Sequence, residues 1–304
     1  MTETPLLPAS PTGAAVPLGA VRRTTGLRRY LDGRRVQAFL HDRVGMTAAI
    51  FLLLVALIAI FAGKVAPYDP VQTDLSAIFR GISRQHLLGT DELGRDVLSR
   101  VIFGTRVSVV VGLLSVSVAL LIALPFGLLA GYHGKLVDTL VVAIVDIILS
   151  VPPLVLVFAI AGILGASITN VVIALAVFFT PVLVRVTRTE TMHVRHSQLV
   201  EAEMAIGVRT RTILLRHVLP NIAPALIVQC ALNIGIAIIA EAGLSFLGLG
   251  VRPPTASWGG MLNSAYQYMV AHPWQIVPPG LAIVLTVVAW NLVADALRST
   301  LDQR

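Results

Sequence analysis

Apolar positions in this chain gather into long runs rather than alternating at a short period. Val44 to Gly63 carries no charge, and Val107 to Gly131 is a second such run. A bilayer core accepts about 20 apolar residues in a helix, so each run predicts one span. Thr139 to Val184 is a third run, 46 residues long and interrupted by a single acid, Asp146. At ~1.5 Å per residue it is about twice a membrane thickness. It therefore predicts two spans, turning near Gly162, Gly165 and Asn170. Val218 to Ala240 predicts a fifth, continuing past Glu241, and Pro273 to Ala294 a sixth. Lipid admits only helices or closed barrels, and no period-2 alternation marks a barrel. The pattern predicts an all-α integral membrane protein of six transmembrane helices.

The basic residues orient these spans. Seven arginines precede Met46, against Glu3, Asp32 and Asp42, and six more lie between residues 185 and 216 against three glutamates. Six spans place both termini on one side, and the basic loop after the fourth span joins them there, which predicts cytoplasmic termini. Residues 64–106 hold six basic and five acidic side chains, and residues 247–272 hold one arginine, as expected of the opposite face. The organisation expected is a cytoplasmic tail over 1–43, a first helix and outer loop over 44–106, and a five-helix unit over 107–304. Arg22-Arg23 resembles a twin-arginine export signal, but the apolar run begins some twenty residues later and is long enough to remain as an anchor.

Composition agrees. Of 304 residues 56% are hydrophobic and 13% charged, where soluble domains carry roughly 25% charge. The mean hydropathy is +0.84. These values exclude a soluble enzyme, a disordered regulator and a secreted disulfide scaffold. Cys230 is the single cysteine, so no intramolecular disulfide or multi-cysteine metal site can form. The net charge of +7 could serve nucleic acid, but in a membrane chain it reads as arginine-rich cytoplasmic loops.

No GxxxxGK[ST] phosphate loop and no HExxH occur, so no nucleotide hydrolysis through a P-loop is expected of this chain. His193 and His196 have helical ligand spacing but flank Arg195, and a solvated polar segment is the expected reading. Gly248-Leu249-Gly250 reads as a helix end.

The informative stretch runs from Leu199 to Asn221. Residues 199–206 predict a short helix, Gly207 a backbone turn that a Cβ would resist, and Val208 to Arg216 a second short helix. Val200, Met204, Ala205 and Ile206 offer a small apolar surface. Such a knob between two spans suits a groove on a soluble partner; an amphipathic loop lying on the bilayer is the alternative.

This stretch resembles the EAA motif of permease subunits in ABC importers: Glu201, Ala202, Gly207, Leu219 and Pro220 match it. Glu203 stands where a second Ala is usual, and His217 where Ile is often found. Ala66-Pro67-Tyr68-Asp69-Pro70, Leu88 to Asp96, Leu244 to Gly250, Pro253-Pro254 and Trp258-Gly259 resemble the C-type subunit of dipeptide/oligopeptide permeases. The resemblance runs from about residue 40 to the C-terminus. It implies the type I ABC importer permease fold in a bacterial cell membrane, with an EAA loop over about 189–221 that couples to ATPases. It further implies a second paralogous permease sharing the pathway, one or two P-loop ATPase subunits that bind ATP and Mg, and an extracytoplasmic binding protein that delivers peptide. No cofactor is expected in this chain, and it is expected to be a transport subunit rather than an enzyme.

Nickel chelates and other small solutes are carried by close relatives of that family and remain open as cargo. A proton-coupled secondary transporter would use Asp146 or Glu241 as relays, but six spans without evident inverted repeats argue against it. A non-transporting membrane anchor leaves two acids in apolar spans without a purpose. Candidate pathway residues are Asp146, Ser150, Asn233 and Glu241. Asp146 is expected near mid-membrane, facing a helix or water rather than lipid, with Ser150 on its face; Pro152-Pro153 then strand a carbonyl.

Overall fold

The computed structural model describes residue 39 and residues 41–301; the expected tail over 1–43 therefore lies almost wholly outside the described residues. Among the described residues ten α-helices follow in chain order: α1 Arg43–Val65, α2 Val97–His133, α3 Lys135–Leu149, α4 Pro153–Leu164, α5 Ile168–Arg195, α6 Gln198–Ala205, α7 Thr210–Ile213, α8 Leu219–Phe246, α9 Trp258–Gln267 and α10 Val277–Leu301. No strand occurs among the described residues. Among the described residues five stretches are long and apolar enough to cross a membrane, and α3 and α4 reach that length only as a pair, bent by 81°.

The bend has a local cause. Pro152 and Pro153 both lack an N–H, so the ladder ends at Leu149 and restarts with Pro153 in the first turn of α4. The chain then turns at Gly165, where the Asn170 amide donates to the carbonyls of Leu164 at 2.7 Å and Gly165 at 2.9 Å. The expected turn region is correct, and the 81° bend falls at the Pro152-Pro153 pair expected to strand a carbonyl.

Two helix ends also differ from expectation. α2 begins at Val97 rather than Val107, because Asp96 caps it: its Oδ2 accepts from the Ser99 amide at 2.8 Å and the Ser99 hydroxyl at 2.7 Å. α5 runs on to Arg195, so Arg185 and Arg188 are helical rather than part of a loop. Arg188 pairs with Asp138, and Arg185 with Asp146, both on α3. Charge stopped the apolar run at Val184, but opposite charge on the neighbouring helix allows the helix to continue.

The core lies where α2, α5 and α8 meet, with Val111, Leu175, Phe179, Leu183, Ile238 and Leu244 fully or almost fully buried. In lipid the apolar effect does not drive helices together, so close backbone approach and dispersion must hold them. α2 supplies that approach with Gly127 and Gly131, one turn apart. A Cβ on Gly127 would lie 2.4 Å from Thr187 Cβ, and one on Gly131 would lie 2.6 Å from the Arg188 carbonyl. α1, α3, α4 and α10 instead present leucines, isoleucines and valines outward, as Leu53, Ile60, Ile147, Ile163 and Leu285 show.

At the end of the bundle opposite α6, the 66–96 segment is knotted onto α2. Asp91 accepts from the amides of Leu93 and Arg95 and pairs with Arg95 Nε at 2.7 Å. Glu92 takes Arg95 Nη2 at 2.7 Å, and Arg100 donates to the Pro70 carbonyl at 3.0 Å. His86 Nδ1 lies 2.9 Å from Asp96. Gln275 donates to the Thr90 carbonyl at 2.6 Å, and Phe79 stacks on His272 with ring centroids 4.0 Å apart. The two loops at this end thus form one platform. Below it, Trp258 is buried and donates to the Val101 carbonyl at 3.0 Å.

Candidate functional site: a helical knob between two spans

Between α5 and α8 the chain builds a projection. α6 has eight residues, six of them exposed; only Val200 is buried and Glu203 half-buried. Outward-facing apolar side chains include Leu199, 55% exposed, and Ile206, 79% exposed. Val200, expected on that outer surface, instead points inward, where it packs in a cluster with Leu128, Tyr132, Ile213, Val218, Ile222 and Leu226. The helix ends at Ile206, and Gly207 follows with φ of +74°, a left-handed conformation that a side chain resists. A Cβ there would meet nothing within 4 Å, so glycine is required by backbone conformation and not by space.

After the turn, α7 passes into a π-helical turn, Leu214–Val218, which leads directly into α8. Leu219 and Pro220 are the first residues of α8, and Pro220 has no N–H with which to continue the ladder of the π-helical turn before it. The first helix and the glycine turn stand as expected, whereas the expected second helix over Val208 to Arg216 is a four-residue turn, Thr210–Ile213, that continues through the π-helical turn into α8. Glu201 extends from the knob with its side chain 58% exposed, 3.9 Å from His196 Nδ1, and Ala202 is exposed beside it. Glu203 Oε1 lies 2.9 Å from His217 Nε2.

The pathway candidates fall into separate groups. Asp146 is half exposed and bound to Arg185 of α5. Ser150 closes α3 and donates back to the Ile147 carbonyl at 2.7 Å. Asn233 is buried on α8, accepting from Gln229 at 3.0 Å. Glu241 is fully buried between α8 and α2. Sequence reasoning missed Asp138, Arg185 and Arg188 as partners, and Gly127 and Gly131 as a packing seam. The small-x-x-x-small spacing of that seam was the one signal that could have revealed it.

Long apolar helices around an α2–α5–α8 core, one bent helix pair and one projecting inter-span knob define a polytopic helical membrane protein. The profile of the family described as binding-protein-dependent transport system inner membrane component matches residues 123–304, and that of the N-terminal TM domain of oligopeptide transport permease C matches residues 33–85. The glutathione transport system permease protein GsiD of Pectobacterium atrosepticum is 40% identical over 267 residues, covering 88% of this chain and 89% of the relative. Its Escherichia coli O6:K15:H31 counterpart is 42% identical over 267 residues, covering 88% of each. Among solved structures, an inward-facing MetNI methionine ABC transporter chain matches with a TM-score of 0.55 at 20% identity, covering 67% of this chain and 96% of that one, a likeness of fold. The chain belongs to the binding-protein-dependent family of ABC importer permeases, in its peptide-transport branch.

Proposed function

We propose that this chain is one of two permease subunits of an ATP-driven importer of short peptides, with glutathione-sized solutes foremost among them. The observation that carries the reading is the knob: a short helix between two spans with six of its eight residues exposed, seated on the bundle by Val200 and closed by a glycine in the left-handed region. Cytoplasmic ATPases, which hold the ATP and Mg, dock on Glu201, Ala202 and the exposed apolar residues beside them. Their closure moves α6, and through α7 the start of α8 at Leu219 and Pro220. A second, paralogous permease completes the pathway, a binding protein delivers cargo to the platform at the opposite end, and both termini share the side of the knob. Two relatives named for glutathione transport support a small-peptide cargo; nickel chelates belong in the same uptake panel.

The Asp146–Arg185 pair belongs to the pathway face in this reading. Both side chains are more than half exposed in the isolated chain, and charge inside a membrane segment faces protein or water rather than lipid.

The test is reconstitution of the full complex with Glu201→Lys and Gly207→Val. Reversing the charge disturbs docking, and a β-branched residue at φ of +74° deforms the turn. Normal membrane insertion, loss of uptake and weak copurification of the ATPase are expected. Unchanged uptake in both variants would overturn the reading.

A further inference from the structure

An eight-residue helix is not stable alone in water, so α6 depends on what holds it. It rests on the bundle through Val200 and Glu203, three residues apart and therefore on one face. Val200 makes a non-directional apolar contact, about which a short helix can roll. The Glu203–His217 contact is directional: Oε1 to Nε2 is 2.9 Å, with the side chains 18% and 23% exposed. Glu203 Oε2 is buried and meets no hydrogen-bond donor among the described residues, so His217 carries most of what compensates this carboxylate for leaving water.

His217 sits in the π-helical turn that leads into α8, a widened geometry frequent at functional positions. The pair therefore joins the knob to the first turn of a span, bypassing the Gly207 turn and α7. These are also the two positions at which the loop departs from the motif it resembles, and the two departures touch each other.

We propose that Glu203 and His217 are positioning residues: a hydrogen-bonded strut that fixes the rotation of α6 and passes its displacement to α8, making ATP turnover productive. The proposal rests on the coupling role assigned to the loop above.

The strut predicts an asymmetric and non-additive variant series. His217→Ile leaves a half-buried carboxylate unpaired. Glu203→Ala leaves an imidazole, a polar group less costly to bury without a partner than a carboxylate, so it costs less. Replacing both partners with apolar groups removes the conflict and can be nearly neutral. The measurement is uptake of labelled glutathione and of a labelled dipeptide by vesicles carrying the complete complex, read as solute moved per ATP hydrolysed, with ATPase copurification as the docking control. His217→Ile is expected to lower that ratio roughly tenfold, Glu203→Ala by about threefold, and the double variant to return within about twofold of the starting complex. Glu203→Gln keeps an acceptor for Nε2–H and is expected to exceed Glu203→Ala.

Additive losses in the double variant, or ratios unchanged in both single variants, overturn the strut. If His217→Ile does not assemble, an assembled double variant supports the strut and a double variant that also fails overturns it. Failure of the coupling reading is distinguishable: it appears as intact uptake in Glu201→Lys and Gly207→Val, which leave Glu203 and His217 in place.

Discussion

The hydroxyl of Ser108 on α2 donates to Glu241 Oε2 on α8 at 2.9 Å, across 133 residues of sequence. Ser245 donates to the other carboxylate oxygen at 2.8 Å. Glu241 is fully buried, so this acid clasps two helices rather than facing an open channel within this chain. Glu241→Ala strands both hydroxyls and opens a void, and is expected to cost about 1–3 kcal/mol. Glu241→Gln keeps a polar partner for each serine and should stay near the starting stability. Thermal unfolding of the purified complex in detergent checks both; equal stability for Ala and Gln would refute the clasp.

The α2–α5 seam makes a steric prediction. Gly131→Val places a branched side chain where even a Cβ would lie 2.6 Å from a backbone carbonyl. The helices must separate, at about 1–3 kcal/mol or more, and the yield of folded complex should fall. Gly63→Val, at a position where a Cβ meets nothing within 4 Å, is the matched control and should be tolerated.

Asp146→Asn keeps shape and hydrogen bonding to Arg185 while removing one charge. Asn still accepts from Arg185, so assembly should survive. If the pair lines the pathway, uptake drops or the substrate preference shifts across a peptide panel. Wild-type uptake for every solute would end the pathway role and leave Asp146 a strut between α3 and α5.

The orientation proposal is open to chemical labelling. Val270, 98% exposed at the platform end, and Ile206, 79% exposed on the knob, are accessible in the isolated chain. With Cys230 replaced, cysteine at 270 should react with an impermeant thiol reagent in intact cells. Cysteine at 206 should react only after permeabilisation. The opposite pattern would invert the topology.

What the sequence by itself determined is what depends on neighbours along the chain. Long apolar runs located the membrane helices, because burial in lipid depends on a local average. Pro152-Pro153 marked where a helical carbonyl loses its donor, because each proline removes its own N–H. Gly207 marked the turn after α6, because only its own φ is at issue. The tertiary structure decided what depends on which helices lie side by side. Arg185 and Arg188 read as the start of a polar loop, yet α5 continues through them because Asp146 and Asp138 of α3 face them. Val200 read as part of an outer docking surface, yet it points inward because Leu128, Ile213 and Ile222 converge beneath it. Glu203 and His217 read as two separate departures from a motif, and only the fold of the loop brings them to 2.9 Å. Hydropathy and turn chemistry are summed along the backbone, whereas a charge or a void acquires its energy from partners that the backbone order does not name.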